Sequence, residues 1–111
     1  MITTHVLDLE RGVPGAGMTV TLERLGGSDW TPVGSGRTDR EGRLATLTDG
    51  HAVTVGTYRL TFDTAAYHRL HGVADPFFSN AQITFIVTAA GDHIHVPLLL
   101  SPFGYTTYRG S

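Results

Sequence analysis

Apolar and polar residues alternate over a series of short stretches, and clusters of Gly, Pro, Asn, Asp and Ser separate them. The most regular alternation is Thr57 to Asp63, in which Tyr58, Leu60 and Phe62 fall on one face. In a strand, successive side chains point to opposite faces, so this period of two predicts a half-buried strand with those three residues inward. Thr19 to Leu25, Gln82 to Thr88 and Ile2 to Asp8 read in the same way. In the last of these, Ile2, Thr4 and Val6 share one face and Thr3, His5 and Leu7 the other. The run His93-Ile94-His95-Val96-Pro97-Leu98-Leu99-Leu100 places Ile94, Val96, Leu98 and Leu100 in an apolar row. The opposite row mixes imidazoles with apolar side chains: His93, His95, Pro97 and Leu99. An outward sheet face of that kind is expected to be covered, as by a second subunit.

Trp30 to Arg37 is interrupted by Gly and Pro, which predicts an edge strand. Arg43 to Leu47 is a short strand after the turn Thr38 to Gly42. Gly12 to Gly17 is a loop too rich in Gly and Pro for a helix. Ser101-Pro102-Phe103-Gly104 is a reversal before a final strand, with Pro presetting φ and Gly104 expected to supply a positive φ. Only Ala65 to His71 reads as helix, with Thr64 as its N-cap and Gly72 closing it. About eight short strands at regular spacing and one short helix define an all-β sandwich or barrel. No repeat, linker or low-complexity segment divides residues 1–111, so a single domain is expected.

Composition narrows the function classes. A chain of 111 residues supports one core without staples, and the absence of cysteine removes disulfides and thiolate metal sites. A net charge of −2, with all eight cations arginine, gives no basic footprint for nucleic acid. No apolar run approaches the ~20 residues that span a bilayer, so no membrane role is expected. Met1 to His5 has neither a charged leader nor an apolar one, and the cytoplasm is the expected location.

Three blocks carry a resemblance: Thr3-Thr4-His5-Val6-Leu7-Asp8, Thr38-Asp39-Arg40-Glu41-Gly42-Arg43, and the C-terminal run from His93 through Tyr108-Arg109-Gly110-Ser111. In this order and at this spacing they resemble the 5-hydroxyisourate hydrolases, the transthyretin-related enzymes of urate breakdown, whose chains close on Tyr-Arg-Gly-Ser. The resemblance implies a transthyretin-like two-sheet β-sandwich and a homotetramer, a dimer of dimers with sites at subunit interfaces. It also implies a cofactor-free hydrolysis of the small molecule 5-hydroxyisourate. His5, Arg43, His95 and Ser111 match positions the family uses for catalysis, and Tyr108 joins His5 and Arg43 in holding the substrate. The family has Pro followed by Ala where this chain has Pro14 and Gly15.

The chemistry suits those residue types. Opening a cyclic amide requires an activated water, a proton for the departing nitrogen and stabilisation of an oxyanion. Imidazole titrates near ~6.5 and serves the first two needs. Arginine is a permanent planar cation that serves the third. His51, His68 and His71 are expected to be solvated surface histidines, and His93 stands at the mouth of its strand. Two other readings compete. His93-x-His95, with His5 as third ligand, has strand spacing used for zinc, which would make a zinc-dependent cyclic-amide hydrolase. A transthyretin-like carrier of a small ligand would have the same sandwich without the His5, Arg43 and His95 set.

Overall fold

A computed structural model describes residues Met1–Ser111. In chain order its elements are β1 (Ile2–Asp8), β2 (Val13–Pro14), β3 (Thr19–Gly26), β4 (Asp29–Arg37), β5 (Arg43–Leu44), β6 (Gly56–Phe62), α1 (Thr64–Leu70), β7 (Ala81–Val87), β8 (Ile94–Ser101) and β9 (Gly104–Thr107). One sheet runs β4-β3-β6-β7, all antiparallel. The other runs β2-β1-β8-β9, with β5 also on β1. Within it β1 and β8 are parallel, paired from Ile2 with Ile94 to Asp8 with Leu100.

The period-two rows become the core between the sheets. Ile2 and Val6 of β1 and Val96, Leu98 and Leu100 of β8 meet Val20, Leu22, Tyr58, Leu60 and Phe62 from the other sheet. Burying each such side chain stabilises the fold by roughly 1.5–3 kcal/mol before chain entropy is counted. With the even-numbered residues of both β1 and β8 committed inward, Thr3, His5 and His95 are left on the outer face. A one-residue slip of either strand would exchange these rows, so the core fixes the site's register.

Several local expectations are corrected. Asp63 caps α1, its carboxylate accepting from the Ala66 amide at 3.3 Å, while Thr64 lies inside the helix and is buried. The carboxylate is the stronger acceptor for the orphan amides of a first turn. His68 is buried, not solvated, because the spacing Thr64, Tyr67, His68 sets it on the helix stripe that faces inward. His51 and His71 are exposed as expected. Gly104 does not take a positive φ. Phe103 does not either, so the reversal has the φ signs of a type I turn, in which glycine is favoured at the fourth position. The strand foreseen from Arg43 to Leu47 pairs only at Arg43 and Leu44, since Asp49 N already donates to Thr46 O in the next turn.

The helix is tied to the site-bearing sheet by Tyr67, whose hydroxyl donates to Asp8 Oδ2 at 2.6 Å. Asp8 also accepts from the Arg11 amide at 3.0 Å, with the Arg11 guanidinium 3.9 Å away. Burial and the facing carboxylate push the Tyr67 hydroxyl up to about 12. Burial opposes ionisation of Asp8, but the Tyr67 and Arg11 contacts outweigh it and hold its carboxyl below the usual value. The stability contributed by ionised Asp8 is therefore present above its unfolded pKa near ~3.9 and lost as pH falls through the lower folded value. Tyr67→Phe leaves a buried acceptor short of a donor and should cost about 1–3 kcal/mol at neutral pH, read by denaturant unfolding. A loss under ~0.5 kcal/mol, within the range of ordinary surface changes, would mean the bond does not anchor the helix.

Candidate active site

Two pairings bring distant residues to one place on the outer face. The parallel β1–β8 ladder sets Thr3 opposite His95, and the β1–β5 ladder sets His5 opposite Arg43. The turn before Arg43 is held by Asp39, whose carboxylate accepts from the amides of Glu41 at 2.8 Å and Arg43 at 3.0 Å. Those two bonds, Arg43's first, lower the Asp39 pKa, so the turn keeps its charged clamp into mild acid. Gly42 completes the turn at φ 78°, and a Cβ there would lie 2.3 Å from the Val6 carbonyl oxygen. Only glycine lets the turn lie against β1 at this point.

The imidazoles are oriented by neutral groups. His5 Nε2 is 2.8 Å from the Glu41 carbonyl oxygen. A carbonyl only accepts, so this nitrogen carries hydrogen, and in neutral His5 the lone pair belongs to Nδ1. His95 Nδ1 is 2.8 Å from the Thr3 hydroxyl, and the same oxygen is 3.1 Å from His93 Nε2. His95 Nε2 makes no hydrogen bond within the chain. Burial first, then the charges of Arg43, His5 and His93, push the His95 pKa below the ordinary histidine value. His95 is thus neutral at neutral pH, with Nε2 free.

A depression of about 280 Å³ is lined by Thr3, Arg43, His93, His95 and Ser111, with Met1 and Leu44 at its sides. His5 stands beside it, across the ladder from Arg43. Tyr108 does not join this group within one chain. It is 54% exposed and lines a separate, more apolar recess of about 190 Å³ with Ile86 of β7. The apolar recess has no titratable histidine or carboxylate in its wall, so the chemistry belongs to the first. Ser111 is held near by Gly110, whose amide donates to the His95 carbonyl at 2.8 Å. Gly110 does so without a positive φ. Its glycine is required by contact, since a Cβ would sit 2.6 Å from His95 Cδ2. No three His, Asp or Glu side chains converge as a ligand set, and His93 and His95 instead turn to the Thr3 hydroxyl. Thr3 is the residue that reading the sequence missed as part of the site. Its outward phase was visible, but its partner depends on which strand β1 pairs with.

The HIUase/Transthyretin family model matches residues 2–110. The chain belongs to this family. It is 42% identical over 114 residues to the 5-hydroxyisourate hydrolase of Ralstonia nicotianae, covering 99% of this chain and 97% of that one. It is 46% identical over 124 residues to the uric acid degradation bifunctional protein of Arabidopsis thaliana, of whose length it spans 37%. Transthyretin from sea bream, solved in complex with thyroxine, superposes with a TM-score of 0.90 at 32% identity, covering 98% of this chain and 93% of that one. Proteins named as 5-hydroxyisourate hydrolases and a transthyretin solved with thyroxine are thus both similar to this chain over nearly its whole length. No helix is long and apolar enough to cross a membrane.

Two measurements check this geometry. His95 should titrate below ~6.5 in an NMR pH series, and Arg43→Gln should move it upward by removing a nearby cation. A His95 that titrates at or above ~6.5 in the unaltered protein would contradict its burial beside Arg43. Gly110→Ala should leave the unfolding midpoint nearly unchanged yet displace His95, visible as chemical-shift changes centred on that ring.

Proposed function

We propose that this protein hydrolyses 5-hydroxyisourate to 2-oxo-4-hydroxy-4-carboxy-5-ureidoimidazoline in urate degradation. The observation that carries this reading is the meeting of a neutral imidazole and an arginine in one depression, on a chain that matches enzymes of that name over its full length. His95 Nε2 accepts a proton from the attacking water as its oxygen bonds to the ring carbonyl carbon. The Arg43 guanidinium binds the ring and stabilises the oxyanion that forms. The C–N bond then breaks, and the His95 imidazolium returns its proton to the departing nitrogen. Its depressed pKa makes it a ready donor at that stage. His5, with Nε2 held by the Glu41 carbonyl, turns its Nδ1 lone pair outward to accept a hydrogen bond that orients water or substrate. Ser111 and Tyr108 complete substrate binding, Tyr108 from a neighbouring subunit.

That last assignment goes with a homotetramer, a dimer of dimers. β7 and β9 are both free sheet edges, and Ile86 and Tyr108 are exposed between them. Unpaired edges beside apolar side chains favour pairing with a second copy. A cytoplasmic location belongs to this proposal as well.

The direct test is decay of freshly generated 5-hydroxyisourate, followed in the ultraviolet against the spontaneous rate. Clear acceleration is expected, and none would end the proposal. His95→Asn and Arg43→Gln should each lower kcat/KM by about a hundredfold or more, the scale of losing a base or an oriented charge. The acid limb of kcat/KM should lie below pH ~6.5, as the lowered His95 pKa requires. Exhaustive chelation should leave turnover unchanged, and a loss that zinc restores would favour the metal alternative. Deleting residues 108–111 should remove most activity while the fold survives, since the core rows lie elsewhere.

A further inference from the structure

Thr3 has one hydroxyl hydrogen and stands between two imidazole nitrogens, His95 Nδ1 at 2.8 Å and His93 Nε2 at 3.1 Å. If the hydroxyl donates to His93, its oxygen accepts from Nδ1–H of His95, and His95 Nε2 is left as a lone pair. If it donates to His95 instead, neutral His95 carries its hydrogen on Nε2 and has no lone pair to offer water. The direction of one O–H bond thus selects between a base and a non-base.

We propose that Thr3 and His93 are positioning residues that hold His95 in the Nδ1–H tautomer, with Thr3 donating to His93 and accepting from His95. The inference rests on the reading of His95 as the base. Three observations support it. Thr3 is buried, so no solvent competes for its hydroxyl. Its place opposite His95 is fixed by the β1–β8 register rather than by a flexible loop. His93 stands just before β8 with Nε2 3.1 Å from the Thr3 oxygen, a second nitrogen within reach of the hydroxyl hydrogen. The other groups facing His95 are Arg43 of β5 and His5 of β1, with Ser111 and the Met1 amino group at the rim. None of these makes a hydrogen bond to Nδ1, so the Thr3 hydroxyl is its one partner in the chain.

The test compares Thr3→Val, which keeps shape and removes the hydroxyl, with Thr3→Ser, which keeps the hydroxyl. His93→Phe removes the acceptor, and His93→Gln retains an acceptor oxygen. Thr3→Val should lower kcat by about ten- to a hundredfold with KM within about threefold, and Thr3→Ser should restore most of it. His93→Phe should fall with Thr3→Val. His93→Gln should stay active, because its amide oxygen can still accept from the Thr3 hydroxyl. Nitrogen-15 NMR of His95 supplies a readout that does not need turnover. The unaltered protein should show Nδ1 protonated and Nε2 bare, and Thr3→Val should show a mixture. If the protein fails to hydrolyse 5-hydroxyisourate but the tautomer changes as described, the functional reading falls and the hydroxyl bridge stands. If Thr3→Val retains full kcat, or His95 is already Nε2-protonated in the unaltered protein, the inference is overturned.

Discussion

The rest of the site depends on the parallel pairing of β1 with β8. It joins residues some ninety positions apart in the chain, from Ile2 on Ile94 to Asp8 on Leu100. Its inward rows, Ile2 and Val6 with Val96 and Leu98, belong to the core, so the register is secured by burial rather than by the site itself. The outward rows then have no freedom: Thr3 lies opposite His95, and His5 is left to meet Arg43 on β5. Packing energy in the sandwich thereby holds the geometry of the candidate site. Rigid strands also position side chains more narrowly than loops do.

The polar shell supplies what strand pairing does not, the rotation and protonation of each ring. Glu41 contributes only a backbone oxygen, yet it decides which nitrogen of His5 carries hydrogen. Thr3 makes the corresponding choice at His95. Both act without formal charge, and burial beside Arg43 lowers the His95 pKa.

Much of this was legible from residue order. The period-two rows announced the core and the outward phase of His5 and His95, and the three sequence blocks carried the family. Pairing partners were not legible, because a strand's alternation says which face a residue occupies but not what lies beside it. Thr3 therefore read as an ordinary strand threonine, and the contact with His95 that requires glycine at 110 could not be read at all. His68 was misjudged because a seven-residue helix offers too few turns for its apolar stripe to stand out. Tyr108 read as a neighbour of the histidines, and within one chain it is not. It follows β9, the sheet edge, where a second copy of the chain would be needed to carry it across.

The most direct test of the whole account is a crystal structure with urate, a stable ring of the same class as the substrate, bound at saturating concentration. The ring is expected in the depression between β1, β5 and β8, within hydrogen-bond reach of the Arg43 guanidinium and His95 Nε2. Urate seated in the apolar recess beside Ile86, with the Arg43 and His95 depression vacant, would contradict it.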